Sequence, residues 1–104
     1  MPDCEYAVRI APAASEKLLA HVRFLAQVSV TAAERLYDEL YEAVYSLEYN
    51  PERYPRYFQQ TEIDAVLRYI LCAKRYRIVF EVIGGTVYIY DIQDCRQDTD
   101  KNLV

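Results

Sequence analysis

The sequence predicts an α+β fold, in which two helices pack against one face of a largely antiparallel sheet. Three observations predict it: an alternating run near the start, two stretches with helical spacing in the first half, and three β-rich runs in the second half. The elements therefore follow the order β-α-α-β-β-β. Because both helices cover the same face, the opposite face of the sheet stays open, and we expect it to be aromatic and cationic.

The first strand and the first helix are predicted within residues 5–27. In EYAVRIA, apolar side chains alternate along the chain as in a half-buried strand. Pro12 suits a first helical turn, where its missing N–H is not needed. AASEKLLAHVRFLAQ then carries Leu18, Val22 and Leu25 at helical spacing. His21 lies beside this apolar stripe, and we interpret it as a structural residue.

The second helix is predicted from about Ala32 to Tyr49, antiparallel to the first after a short link at residues 28–30. Thr31 and Glu34 have the spacing of a capping box, and Asn50-Pro51 ends the helix. Two adjoining apolar stripes run along it. One holds Leu36, Leu40, Val44 and Leu47; the other, the tyrosine stripe, holds Tyr37, Tyr41, Tyr45 and Tyr49. We interpret the tyrosine stripe as a rim of the core, with reception of a partner helix or a second copy as the alternative.

Gly84-Gly85 predicts a tight hairpin, because a two-residue turn of the primed type needs positive φ. A strand from about Ala65 to Leu71 should pair with this hairpin and bring Arg68 near Arg77. The turn fixes the register, with Ile83 opposite Thr86. The expected core-face pairs are Val82–Val87, Phe80–Ile89 and Ile78–Asp91, and the expected pairs on the other face are Glu81–Tyr88, Val79–Tyr90 and Arg77–Ile92.

Length and composition restrict the class of protein. With 104 residues and a hydrophobic fraction of 53%, the chain suits one folded domain, residues 1–104. No apolar run is long enough to span a bilayer, and the start lacks a basic segment followed by an apolar one, so we expect a soluble cytoplasmic protein. The three cysteines form no close pair and there is one histidine. We therefore expect neither a disulfide framework nor a metal or other cofactor.

Charge is distributed unevenly along the chain. Residues 1–64 hold 6 Lys and Arg against 11 Asp and Glu, whereas residues 65–104 hold 6 against 5. Such asymmetry is typical of a region that faces a partner. The formal net charge of −4 gives little support to nucleic-acid binding, which usually shows a strong basic footprint.

Four stretches together resemble the RelE/ParE superfamily of toxins from type II toxin–antitoxin systems, also called plasmid-stabilisation proteins. YAVRIAPAASEKL resembles the opening strand and first helix of the family, and AERLYDELYEAVYSLEYNPERYP resembles its second helix with the Asn-Pro loop. RYRIVFEV resembles its most recognisable strand, and VYIYDIQDCRQD resembles its last strand and basic tail. The likeness covers nearly the whole chain and rests on the order and spacing of these pieces.

The resemblance implies two alternative activities. RelE-like members cut messenger RNA in the ribosome without a metal, whereas ParE-like members poison DNA gyrase. Both are neutralised by a cognate antitoxin whose flexible segment wraps the toxin. The expected partners are therefore an antitoxin together with ribosome and mRNA or with gyrase, and a homodimer is a further alternative. The alternative from a different class is a binding protein of this fold that is neither toxic nor catalytic.

The resemblance also implies a site. RNA cleavage needs cations around a phosphate and a general acid and base. Position in the family pattern assigns the cations to Arg77, Lys74, Arg68 and Arg96, with Glu81 or Tyr88 as the acid or base. The plain alternative for Arg77 and Glu81 is an ion pair on a solvated sheet face. RYPRYF interleaves arginines with aromatic rings as base-stacking platforms do, but we interpret it as a loop whose aromatic side chains close over the core edge.

Overall fold

The fold was analysed in a computed structural model, which describes residues 5–57 and 66–95. The predicted order β-α-α-β-β-β is confirmed. A single 3₁₀ turn, Pro51–Arg53, follows the second helix. The elements are β1 Ala7–Ile10, α1 Pro12–Ala26, α2 Val30–Ser46, β2 Leu67–Cys72, β3 Tyr76–Ile83 and β4 Thr86–Asp94.

The four strands form one mixed sheet in the order β1-β4-β3-β2. β2, β3 and β4 are antiparallel neighbours, and β1 runs parallel to β4. The segment after the 3₁₀ turn covers the outer edge of β2: the N–H of Tyr57 donates to the carbonyl of Leu67 at 2.7 Å, and the N–H of Tyr69 donates to that of Pro55 at 3.1 Å. These two hydrogen bonds join the segment that precedes residues 58–65 to the strand that follows them.

The core lies between the sheet and the helix pair, as the apolar stripes predict. Its central strands supply alternate residues, because successive side chains of a strand point to opposite faces. The helices supply the side chains of one stripe each. Fully buried members include Leu18 of α1, Leu40 and Val44 of α2, Ile78 and Phe80 of β3, and Val87, Ile89 and Ile92 of β4.

The tyrosine stripe of α2 lies at the margin of this core. The rings of Tyr37 and Tyr41 are 4.7 Å apart between centroids, and those of Tyr41 and Tyr45 are 6.1 Å apart. Tyr41 packs against the core, whereas Tyr37, Tyr45 and Tyr49 are exposed. A mostly solvent-facing row of rings therefore extends along α2.

Ser29 caps the second helix, so the predicted capping box of Thr31 and Glu34 is wrong. The hydroxyl of Ser29 accepts a hydrogen bond from the N–H of Ala32 at 3.1 Å, and α2 begins at Val30. A Ser three residues before a free N–H satisfies it as well as a Thr would. Because the helix begins two residues earlier than expected, Thr31 already lies inside it.

The β3–β4 hairpin has the predicted register near its turn and a different one beyond. Ile83–Thr86, Val82–Val87, Glu81–Tyr88 and Phe80–Ile89 are confirmed. Val79 then pairs with Asp91, so that Tyr90 has no partner on β3 and forms a β-bulge. Consequently Ile78 pairs with Ile92 and Arg77 with Gln93. The expected pairs Ile78–Asp91, Val79–Tyr90 and Arg77–Ile92 are wrong.

Burial of Ile92 explains the bulge. Ile89 and Ile92 are three residues apart and both are fully buried. In a regular strand, residues three apart point to opposite faces. One extra residue between them restores Ile92 to the core, while the polar Asp91 and Gln93 remain partly accessible.

No helix among the described residues is long and apolar enough to cross a membrane.

The bulge yields a prediction about single-residue deletions in β4. Deleting Tyr90 leaves Ile89 opposite Phe80 and Asp91 opposite Val79, so we expect the free energy of unfolding to fall by about 1 kcal/mol or less. Deleting Tyr88 instead turns Ile89 out of the core, and we expect a loss of about 3 kcal/mol or more. Urea denaturation of the two variants checks this. Equal losses would show that the bulge is not what sets the register.

Candidate functional site

Arg77, the second residue of β3, lies on the sheet face turned away from the helices, here called the outer face. Its guanidinium lies 5.4 Å from the ring centre of Tyr57 and 5.5 Å from that of Tyr69. The two rings also meet edge to face, 6.2 Å apart. Tyr69 stands beside Arg77 because β2 is the neighbour of β3, and Tyr57 comes from the segment that covers β2. Cation–π contacts of this kind hold a guanidinium plane in a defined orientation.

Gln93 of β4 also binds Arg77. Nη1 of Arg77 donates to Oε1 of Gln93 at 2.9 Å. Nε2 of Gln93 donates to the hydroxyl of Tyr57 at 3.2 Å and to Oδ2 of Asp91 at 3.0 Å. A guanidinium only donates and a carboxylate only accepts, so these partners fix which end of the amide faces Arg77.

Asp91 connects this cluster to the helices around the edge of β4. β1 pairs with β4 only as far as Ile89. Beyond that point α1 approaches the edge, and Nζ of Lys17 donates to Oδ1 of Asp91 at 2.7 Å. The N–H of Ile92 donates to the same oxygen at 2.9 Å. A continuous chain of side chains, the edge relay, thus runs from Lys17 through Asp91 and Gln93 to Arg77.

The charge state of Asp91 follows from its surroundings. Burial raises the pKa of the carboxyl. Hydrogen bonds from Lys17 and Gln93, the charge of Lys17 and the N–H of Ile92 outweigh burial, and the pKa of Asp91 falls below its ordinary value. The edge relay is therefore built around a stably ionised carboxylate.

Glu81 lies on the same face, nearer the Gly84-Gly85 turn, and is bound by Tyr90. The Tyr90 hydroxyl donates to Oε1 of Glu81 at 2.8 Å. This hydrogen bond, together with burial and the carboxylate charge, raises the pKa of Tyr90. Tyr88 pairs with Glu81 across the hairpin, as expected. Tyr88 and Tyr90 therefore both lie beside Glu81 on the outer face.

The other cations predicted for the site lie elsewhere or outside the described part. Arg68 is opposite Phe80 in the register, and residues directly opposite share a face. Arg68 therefore lies on the helix side of the sheet, whereas Arg77 lies on the outer face. There Nη1 of Arg68 donates to the Tyr54 carbonyl at 2.7 Å. β2 pairs with β3 as expected, but the alternation of β2 places Arg68 and Arg77 on opposite faces, so the two cations do not share one surface. Lys74 lies in the β2–β3 turn beside α2. Arg96 is outside the described residues.

Several polar residues make contacts that stabilise the fold. Asp94 pairs with Tyr76, is 9% exposed and belongs to the helix side. Nε2 of His21 donates to the Ile92 carbonyl at 2.9 Å, because a carbonyl only accepts, and the His21 ring meets Tyr76 edge to face. Burial, with the charges of Glu39 and Glu42, raises the pKa of the Cys72 thiol to about 11.

In residues 5–57 and 66–95, no group of three or more His, Cys, Asp or Glu side chains could hold a metal ion.

The arrangement presents one oriented cation in an aromatic setting. A guanidinium carries five N–H donors in a planar fork that suits a carboxylate or a phosphate oxygen pair. Sequence reasoning identified Arg77 and Glu81 but missed Tyr69, Gln93 and Asp91. A signal for the last two exists: the three-residue spacing of Ile89 and Ile92 breaks strand alternation and indicates a bulge that turns Asp91 and Gln93 to the Arg77 side.

Comparison with known proteins assigns the chain to a family. The family model for the ParE toxin of the type II toxin–antitoxin system, parDE, matches residues 8–99. The chain belongs to the ParE toxin family. This confirms the resemblance to the RelE/ParE superfamily and the toxin class that it implied.

One solved structure adds an independent view of this ParE-family fold. A chain from the chromosomal ParDE TA system from P. aeruginosa is similar, with a TM-score of 0.69 and 15% sequence identity over 88% of this chain and 98% of that chain. At that identity the likeness is one of fold. A search of curated proteins found no match.

The lowered pKa of Asp91 predicts a pH dependence of stability. Its contribution is fully present above the unfolded pKa of about 4 and is lost as the pH falls through the lower folded pKa. Between pH 5 and pH 2 the parent chain should therefore lose more stability than Asp91→Asn. We expect a difference below about 1 kcal/mol, because the Lys17 ammonium is half exposed. Urea denaturation across this range measures it, with Asp38→Asn on the surface of α2 as control. Parallel curves for the parent chain and Asp91→Asn would contradict the prediction.

The aromatic setting of Arg77 predicts that charge alone does not replace it. Arg77→Lys keeps the charge but removes the guanidinium. The hydrogen bond from Nη1 to Gln93 and the planar contact with Tyr57 and Tyr69 are then lost. We expect the free energy of unfolding to fall by about 1–2 kcal/mol. Arg56→Lys, at an exposed position one residue before Tyr57, should change it by less than about 0.5 kcal/mol. Denaturation curves that coincide for the two variants would show that the cluster contributes no specific stability.

Proposed function

We propose that this ParE-family chain is a growth-inhibiting toxin that binds DNA gyrase, does not cut RNA, and is neutralised by a cognate antitoxin. The family match supports the toxin class. The choice of target rests on the residues of the outer face.

The observation that carries the proposal is the separation of the predicted cations. Electrostatic stabilisation of a cleavage transition state needs donors converging within about 3 Å of the atoms that gain charge. Arg77 is on the outer face, Arg68 is turned to the other side of the sheet, and Lys74 is in the β2–β3 turn. Three cations arranged in this way do not converge on one phosphate.

The proton-transfer groups support the same choice. A general acid or base must lie within hydrogen-bond reach of the reacting proton. Glu81 is engaged by Tyr90 at 2.8 Å, nearer the opposite end of β3 from Arg77. Asp94 belongs to the helix side. In the described parts of the chain, these carboxylates do not form a catalytic set with Arg77.

Arg77 suits recognition better than catalysis. Its guanidinium is oriented by Gln93 and by two tyrosine rings, which lowers the entropy lost when it binds a partner. Arginine and tyrosine are the residue types that most often dominate binding energy at protein interfaces. We therefore assign the outer face, centred on Arg77, Tyr57 and Tyr69, to contact with gyrase.

Induced expression in a bacterium, followed by assays of the purified protein, tests the proposal. We expect growth arrest, inhibition of supercoiling by purified gyrase, and intact messenger RNA in ribosome assays. Arg77→Ala should weaken supercoiling inhibition by about tenfold or more, as expected for a central interface residue. Arg23→Ala, an exposed arginine at the end of α1, serves as the matched control and should behave like the parent chain.

Three outcomes would contradict the proposal in different ways. Ribosome-dependent RNA cuts that disappear in Arg77→Ala would assign the chain to the RelE-like activity. Normal growth at confirmed soluble levels, with tight binding of a partner protein, would identify a non-toxic binding protein. Growth arrest with unaffected supercoiling would leave the toxin class intact but exclude gyrase.

A further inference from the structure

A second candidate site lies on the helix side of the sheet, between the helix pair and the β2–β3 turn. This cleft, here called the turn cleft, has a volume of about 310 Å³. Leu25 of α1 and Ala32 and Leu36 of α2 form its apolar wall. It is separate from the outer face, because it belongs to the side of the sheet that carries the core. A volume of this size accommodates one or two side chains of a bound segment.

Cations dominate the rim of the turn cleft. Arg35 extends from α2, and Lys74 and Arg75 come from the turn, with Glu39 as the single carboxylate in the lining. Within residues 5–57 and 66–95, the only ion pair is the one between Lys17 and Asp91. The three cations therefore have no carboxylate partner of their own in the described structure. In a chain of net charge −4, this is a local excess of positive charge.

The backbone of the turn adds an independent observation. Ala73 and Lys74 have φ values of 52° and 70°, the left-handed region that favours glycine. The two central positions of such a turn normally take Asn and Gly, because a side chain with a Cβ is strained there. A lysine at a strained position that lines a cleft indicates a role for its side chain.

Arg75 is held in place by the core. Its guanidinium lies 5.3 Å from the ring centre of Tyr76, and Nη2 donates to the Tyr76 hydroxyl at 3.2 Å. Tyr76 is 3% exposed, and its ring also meets His21 of α1. One of the three cations is thus pre-positioned, whereas Arg35 and Lys74 are exposed and able to adjust to a ligand.

We propose that the turn cleft binds an acidic peptide segment of a partner protein, with an apolar side chain of that segment against Leu25 and Leu36 and its carboxylates on Arg35, Lys74 and Arg75. Complementary charge selects this occupant: a cationic segment would be repelled, whereas an acidic segment can pair with all three cations. Tyr76 is buried, so no ring is available to stack on a nucleobase. The inference rests on the proposed function only in expecting a protein partner.

Titration of the ¹⁵N-labelled protein with a short acidic peptide tests the turn cleft directly. The probe is acetyl-Leu-Glu-Glu-Leu-amide, and the matched control is acetyl-Leu-Gln-Gln-Leu-amide. We expect the acidic peptide to shift the backbone amide signals of residues 73–76 and Arg35, with binding that weakens as salt is added. The neutral peptide should bind at least about fivefold more weakly, as should Arg35→Gln with the acidic peptide.

Lys74→Gly separates a ligand-binding role from a role in the turn. Glycine relieves the strained φ, so we expect the melting temperature to rise by about 2–5 °C. The same variant should bind the acidic peptide about fivefold more weakly, because it removes a cation. Arg23→Gln, which changes a cation outside the turn cleft, should alter neither quantity.

The inference is overturned by any of three results. Unchanged peptide affinity in Lys74→Gly would show that Lys74 serves the turn alone. Equal shifts with the acidic and the neutral peptide would exclude recognition of charge. Inorganic phosphate that shifts the same signals as strongly as the peptide would identify a small-anion site instead. None of these titrations uses cells or gyrase, so the turn cleft and the proposed function can fail separately.

Discussion

Side chains from β3 and β4 form the surface on which both helices pack, so the pairing of these two strands determines both faces of the sheet. On the helix side it brings Ile78, Phe80, Ile89 and Ile92 into one buried layer. Burying such side chains is worth roughly 1.5–3 kcal/mol each, far more than a ladder hydrogen bond. The strands therefore accept a bulge at Tyr90 in order to keep Ile92 buried.

The same bulge creates the surface on the other side. It places Gln93 opposite Arg77 and leaves Asp91 at an edge that Lys17 of α1 can reach. A requirement of the core thus organises the polar residues of the outer face. Through the edge relay, the orientation of Arg77 depends on a helix that packs on the opposite side of the sheet.

Four of the described cations lie on two separate surfaces. Arg77 lies among tyrosines on the outer face, and Arg35, Lys74 and Arg75 surround the turn cleft on the helix side. Contact with gyrase is proposed for the outer face, and binding of an acidic segment is proposed for the turn cleft. Two separate cationic surfaces allow each role to be altered by mutation without the other, and the variants proposed for each surface use this separation.

Much of the fold follows from the sequence. The order of elements, the Gly84-Gly85 turn and the first four hairpin pairs are all local consequences of turn chemistry and alternation. The apolar stripe of α2 also follows from the local sequence. The predicted start of α2 was wrong, because Ser29 and Thr31 are both competent caps. Strand parity placed Arg77 and Glu81 together on the outer face, and the resemblance to the family assigned them to the site.

The sequence by itself determined the elements, their order, the core stripe and the family. Only the tertiary structure decided the register beyond Phe80, the neighbours of Arg77 and the separation of Arg68 and Lys74 from it. These depend on a competition between regular pairing and burial of Ile92, and on the meeting of Tyr57, Tyr69 and Gln93 from three distant segments. The spacing of Ile89 and Ile92 along β4 indicates the bulge, but it carries no information about contacts between distant segments. Those contacts depend on which side chains the assembled core excludes from water.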